Sequence, residues 1–243
     1  MPRVPRRIAL PIVAADVDSA APRPQSLTPP QTRRGPTEAL QREPPPVRLG
    51  VHDEFVNVGA HIAYFWETPR EFRECVRFLE VGLDEGDFCV IFGHDEGNRR
   101  VSETLAETGH DCTRLEAQRR LVVVRGDTDA KKMLANIGDT FTAAVNDGAK
   151  LIRLLGNIGW GREGWPTEND ILEFEARVTG AAKAFPCVVV CMYDVQALPG
   201  RVMTHGAFET HPLTFCGNVI RQNPHYVEAE QFLSGLRQRR EES

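Results

Sequence analysis

Two histidine-bearing segments bracket the apolar part of this chain: His61-Ile-Ala-Tyr64-Phe65-Trp66 and His211-Pro-Leu-Thr-Phe215-Cys-Gly-Asn218, with Asn223-Pro-His-Tyr226 soon after. An imidazole titrates near pH 6.5 and can donate or accept, which suits His61 to ligand recognition or to a satisfied structural role. His211 precedes Pro212 and must be extended, so it either forms a turn or lines a pocket. Tyr64 and Phe65 alternate along their segment, so only one of them can face a ligand. Trp160 lies in the glycine-flanked loop Gly156-Asn-Ile-Gly-Trp160-Gly, where a large aromatic walls an apolar pocket or packs as a lid. Glu173 and Glu175 stand two apart, on different faces of a helix, which argues against a paired acid/base device. Glu175 therefore pairs with Arg177 or points into a pocket. Tyr193 and Asp194 end the most apolar run of the chain. These types and spacings suit binding; no Ser-His-Asp or Cys-His order supports a nucleophilic mechanism, and no catalytic residue is expected.

The turn Gly93-His-Asp-Glu-Gly97-Asn-Arg-Arg stands where a phosphate loop would sit. A phosphate loop needs two glycines five apart followed by Lys-Ser/Thr, so that amides cradle phosphate and lysine meets its charge. Here the glycines are four apart, Asp95 and Glu96 repel an anion, and no lysine follows. Arg99 and Arg100 are the only cations placed to meet a phosphate, and a solvated helix face is their alternative role. Asp194 resembles the acidic residue ending a Walker-B strand, but without a competent loop it reads as a pocket residue rather than a magnesium ligand. No cofactor and no metal are expected. The six cysteines contain no Cys-x-x-Cys pair, and the nearest two, Cys187 and Cys191, fall on one buried strand, where they read as small hydrophobes in a reducing compartment.

Positioning these residues requires strands and helices in alternation. His61 to Trp66 reads as a strand. Thr68-Pro-Arg-Glu71 then forms a capping box with proline at the first helical position, followed by Phe72, Cys75, Val76, Leu79 and Leu83 at helical spacing. Phe88 to Phe92, Leu121 to Val124 and Cys187 to Tyr193 read as buried apolar strands and Leu151 to Leu155 as another strand, separated by helices starting near Glu96, Asp129 and Thr167. This order implies an α/β fold of three layers, a mainly parallel sheet between helices, with the C-terminal part adding an antiparallel edge. Ligands in such sheets bind beyond the carboxyl ends of the strands.

Composition divides the chain. Residues 1 to 48 hold eleven of the seventeen prolines and eight arginines against four acidic residues, too little apolar surface to offset ordering entropy, so they are expected to be a disordered tail. Residues 49 to 243 suffice for one domain. With the tail four charges positive, the remainder stands near −9 against −5 for the whole chain, which lacks the broad basic face that nucleic-acid binding requires. No run approaches the roughly 18 apolar residues of a membrane span. A cytoplasmic protein that touches neither membrane nor nucleic acid directly is expected.

Taken together, His61-x-x-Tyr64-Phe65, Gly156-Asn-Ile-Gly-Trp160, Leu172-Glu-Phe-Glu175-Ala-Arg177, Cys191-Met-Tyr193-Asp194 and His211-Pro-Leu resemble the MEDS sensory domains of methylotroph and methanogen proteins, over about residues 57 to 235. The resemblance implies a RecA-like fold whose catalytic phosphate loop is lost and a role in binding small hydrocarbon derivatives as a signal. The expected ligand site is His61, Tyr64, Trp160, Glu175, Tyr193, Asp194 and His211 at the carboxyl edge of the sheet. The N-terminal segment shows no helix-turn-helix pattern, so the signal is expected to leave through a regulatory partner protein or self-association. The competing readings are a degenerate nucleotide binder without hydrolysis and a ligand-free interaction module.

Overall fold

In the computed structural model, residues 44–242 are described; the expected tail up to residue 43 lies outside them. Strands β1 (Val47–Arg48) and β2 (Phe55–Val56) pair as a short antiparallel hairpin. Then follow β3 (His61–Trp66), α1 (Pro69–Glu85), β4 (Phe88–Gly93), α2 (Asp95–Glu107), α3 (Cys112–Ala117), β5 (Leu121–Arg125), α4 (Ala130–Asn146), β6 (Ile152–Asn157), α5 (Glu168–Lys183) and β7 (Cys187–Asp194). A π-helix (Val202–Phe208), β8 (Leu213–Cys216), β9 (Val219–Gln222) and α6 (Ala229–Glu241) complete the fold.

Seven strands form one sheet in the order β5-β4-β6-β7-β3-β8-β9. Pairing is parallel from β5 through β8, and only β9 runs antiparallel. The C-terminal part thus adds one parallel strand before the antiparallel edge. The first strand of this sheet in the sequence, β3, lies between the last two parallel ones, which places the two histidine segments side by side.

Strand parity builds the layers. Ile62, Tyr64, Trp66, Val188, Val190 and Met192 meet α1, α2 and the hairpin on one face. Ala63, Val189, Cys191 and Tyr193 meet α4, α5, the π-helix and α6 on the other. Each helix seats on the sheet through one apolar stripe; in α1 it is Phe72, Cys75, Val76, Leu79 and Leu83, each buried side chain contributing about 1.5–3 kcal/mol. The α1 capping box forms as the sequence predicts, with Glu71 N–H donating to Thr68 Oγ1 and Thr68 N–H to Glu71 Oε2.

Three features escape the sequence reading. Val47 is buried and pairs with Val56, so structure begins inside the stretch assigned to the tail. Short α3 carries only one buried residue, Leu115, too few for a periodic signal. The π-helix shows its wider turn in the Glu209 N–H, which donates to the Thr204 carbonyl at 3.0 Å. No helix among the described residues is long and apolar enough to cross a membrane.

Candidate functional site

Four of the seven expected residues converge on the α5 face of the sheet. His61 opens β3, Tyr193 lies near the end of β7, Glu175 sits in the middle of α5, and His211 follows the π-helix in the extended link to β8. Cys191, two residues before Tyr193 and hence on the same face, joins them. All five are buried. The two imidazoles lie 3.9 Å apart centre to centre. His61 Nε2 is 3.4 Å from Cys191 Sγ, and both His61 Nε2 and His211 Nε2 are 3.7 Å from Glu175 Oε2.

Hydrogen bonds at the rim fix the protons inside. His211 Nδ1 is 3.0 Å from the Ala207 carbonyl, which can only accept, so Nδ1 carries the proton and Nε2 a lone pair. The Thr179 hydroxyl, one turn beyond Glu175, donates to the Thr210 carbonyl at 3.1 Å and is therefore an acceptor for His61 Nδ1 at 2.9 Å. Both Nε2 lone pairs thus point inward. Tyr193 Oη lies 2.9 Å from both Glu175 Oε1 and the Gly206 carbonyl. With one proton to give, it satisfies both when Glu175 is itself protonated. Burial favours that state, pushing Glu175 up to about 8. Burial likewise pushes His211 down to about 3, and burial followed by repulsion from His211 holds His61 well below its usual range. Across the 3.7 Å imidazole–carboxyl contacts burial thus favours the neutral form of each group.

Replacing Tyr193 with phenylalanine is expected to cost about 1–3 kcal/mol, because Glu175 Oε1 loses its buried partner. Urea unfolding measures it; a loss below about 0.5 kcal/mol would show that the hydroxyl contributes nothing to this network.

The other three expected residues stand elsewhere. Tyr64 is three residues from His61, so parity turns it to the α1 face, where its hydroxyl donates to the Glu71 carbonyl at 3.0 Å and its ring lies 5.4 Å from Phe215. Phe65 takes the face assigned to Tyr64, 6.0 Å from Tyr193 and 5.1 Å from Phe208. Trp160 and Asp194 line a groove of about 380 Å³ at the carboxyl ends of the strands, with Trp66, His94, Arg100 and Arg162. Asp194 is engaged in its own turn, accepting from the N–H groups of Gln196 and Ala197. The Trp160 ring lies against Gly206, so the groove and the cluster both reach the π-helix at this residue.

The turn where a phosphate loop would sit is closed by its own side chains. His94 caps α2, its Nδ1 accepting the Gly97 N–H at 3.1 Å that a phosphate would otherwise use, and burial keeps its pKa lowered. Arg99 pairs with Glu103 at 2.8 Å, Arg162 with Glu96 at 3.0 Å, and the Arg100 guanidinium lies 3.9 Å from the Phe72 ring centre. Each of these cations already has a partner.

Beside the cluster lies a small void of about 20 Å³ lined by Phe92, Leu134, Ile137, Phe141, Leu154, Ile158, Phe174, Val178, Val189 and Cys191. Leu134 and Phe174 also floor a surface cleft of about 360 Å³ between α4 and α5. Cys191 is thus the only polar atom bearer shared by void and cluster. The sequence reading treated it as a strand hydrophobe and expected no metal-binding group; among the described residues, His61, Glu175, Cys191 and His211 offer four ligand atoms within 4.8 Å of one another. Its parity with Tyr193 was the available signal.

Comparison with known proteins agrees with this architecture. The chain is similar to the transcriptional repressor DcmR of Methylorubrum extorquens (strain DSM 6343 / CIP 106787 / DM4), 23% identical over 163 residues, which cover 64% of this chain and 62% of that protein. It therefore spans less than two thirds of the repressor's length. Among solved structures it is similar to a KaiC-like protein from Pyrococcus horikoshii OT3, with a TM-score of 0.52 and 17% identity over 70% of this chain and 79% of that one, a likeness of fold alone. The family of methanogen/methylotroph, DcmR sensory domains matches residues 60–212, which include the whole buried cluster. The chain belongs to the MEDS family of sensory domains.

Proposed function

We propose that this sensory domain is not an enzyme and binds a small, largely apolar molecule in the void between α4, α5 and the sheet, with its readout taken by a regulatory partner or by self-association. The observation that carries this reading is the lining of the void, apolar side chains throughout except for Cys191. Its volume favours a ligand of few heavy atoms. The groove at the carboxyl edge, where the sequence reading put the ligand, is lined by His94, Glu96, Arg100, Arg162 and Asp194 and suits an apolar molecule less well.

The void adjoins parts that can move together. A ligand wedged between Val178 and Val189 pushes α5 away from β7, and the Glu175–Tyr193–Gly206 hydrogen bonds connect α5 to the π-helix, which Trp160 touches at Gly206. Such a ligand shifts the equilibrium between two arrangements only by its difference in affinity for them. The relative named as a transcriptional repressor supports a regulatory output, and the acidic charge of the domain supports a protein partner over direct nucleic-acid contact.

Thermal unfolding of the chain against short alkanes, halomethanes, alcohols, aromatic acids and ATP-magnesium tests this. A ligand at a hundred times its Kd stabilises by about 2.7 kcal/mol, a rise of about 5–10 °C for a domain of this size. The rise is expected with small apolar compounds and is expected to vanish in Val178→Phe, whose larger ring fills the void. No rise with any apolar compound, together with one for ATP-magnesium, would instead favour the nucleotide binder.

A further inference from the structure

We propose that His61, Glu175, Cys191 and His211 form a site for one divalent transition metal, with Zn²⁺ the best fit, bound by His61 Nε2, His211 Nε2, Cys191 Sγ and Glu175 Oε2. The site goes beyond the sensory reading and does not depend on it.

Geometry is the first support. Tetrahedral coordination with bonds of about 2.0–2.3 Å sets ligand atoms roughly 3.3–3.8 Å apart. Four of the six separations here are 3.4 Å between His61 Nε2 and Cys191 Sγ, 3.7 Å from each Nε2 to Glu175 Oε2, and 3.9 Å between Cys191 Sγ and Glu175 Oε2, and all four ligand atoms lie within 4.8 Å of one another. The two 3.7 Å nitrogen–oxygen separations are too long for hydrogen bonds and fall within the ligand spacing of a tetrahedral site.

The outer contacts are those a metal site requires. Metal-binding histidines present one nitrogen and donate the other N–H to a carbonyl, hydroxyl or carboxylate, which fixes the ring. His211 does so to Ala207, and His61 to Thr179, which is itself held by the Thr210 carbonyl. Tyr193 occupies Glu175 Oε1 and leaves Oε2 facing the cluster. The fully buried His211 Nε2 has no hydrogen-bond partner. A hydrogen-bonded core leaves that lone pair unexplained, whereas a bound metal uses it.

Charge selects the ion. Two neutral imidazoles, one thiolate and one carboxylate cancel a dication, so the loaded site is electroneutral in surroundings where net charge is costly. Cu⁺ would leave a negative charge. One carboxylate oxygen is too little for Ca²⁺ or Mg²⁺, while nitrogen and sulfur ligands suit zinc and its neighbours. Thiolate and carboxylate ligands bind only when deprotonated, so uptake weakens as pH falls.

The test uses the full chain purified without a polyhistidine tag from zinc-supplemented cells. Elemental analysis is expected to give about one zinc per chain. After chelation, Co²⁺ is expected to give intense tetrahedral visible bands and a near-ultraviolet sulfur-to-cobalt charge-transfer band, the latter lost in Cys191→Ser. Glu175→Gln, close in shape to the protonated acid, is expected to keep the metal-free circular dichroism and to weaken zinc binding on the order of 100-fold. A wild-type protein that carries no zinc and gives no cobalt spectrum overturns the proposal. So does a charge-transfer band that persists unchanged in Cys191→Ser, which would place the metal elsewhere.

Discussion

Arg153→Met is expected to lower the unfolding free energy by about 3–5 kcal/mol, the range for breaking a buried ion pair from one side. Arg153 lies in β6 with its side chain fully buried on the α1 face. Its Nε donates to Asp87 at 2.7 Å, Nη2 to Glu85 at 3.0 Å, and Nη1 to the carbonyls of Arg48 at 2.8 Å and Phe78 at 3.2 Å. One guanidinium thereby ties the central sheet to α1, the turn after it and the N-terminal hairpin. Methionine replaces the stem but supplies no donor. Glu85 is exposed enough to turn to water, so the main cost falls on Asp87, whose carboxyl burial already raises despite the arginine. Urea unfolding should show a lower midpoint with an unchanged slope, and hydrogen exchange should show β1 and β2 opening first. A loss below about 1 kcal/mol would mean that water replaces the guanidinium readily.

The second expected result separates two glycines of one turn. A Cβ at Gly93 would lie 2.3 Å from the Asn157 carbonyl oxygen, a backbone atom held by the β4–β6 ladder. Gly93→Ala must therefore splay those strand ends and is expected to cost about 2–3 kcal/mol. At Gly97 the nearest atom, 2.6 Å away, is the Asn157 side-chain amide, which can swing into the groove. Alanine there also favours the helix, so Gly97→Ala is expected to stay within about 1 kcal/mol of wild type. Equal losses at both positions in parallel thermal melts would show that the groove side of Asn157 is as fixed as its backbone.

That turn shows what a sequence reveals of a lost site. The missing lysine and the acidic pair at Asp95 and Glu96 were legible, because phosphate chemistry prescribes residue types at fixed spacing. The cap supplied by His94 was not, since histidine seldom caps a helix. Elements with strong local signals read well: β3 has the expected bounds, and α1 begins at its capping box. The N-terminal hairpin did not, because two-residue strands have no period to detect.

The buried cluster was half legible. His61, Glu175, Tyr193 and His211 were legible through the motifs that resemble the sensory-domain family, Glu175 only as one of two alternatives. Cys191 did not stand out, because within Val188 to Tyr193 a thiol passes for a small hydrophobe. Parity along β3 and β7 separates Tyr64 from His61 and joins Cys191 to Tyr193. The approach of α5 and the His211 segment depends on crossovers, and no spacing in the chain encodes it.

The place of β3 between β7 and β8 also sets the order in which the molecule can be completed during synthesis. His61 leaves the ribosome long before Val189, its register partner, and at elongation rates of about 5–20 residues per second the wait is on the order of 10 s. Through that interval β3 has neither neighbour, and the backbone N–H and C=O groups along its edges are unpaired. The β3–β7 pairing at the middle of the sheet waits for the end of β7, and β8 and β9 then add the edge, so this domain completes its folding only after most of it has been made.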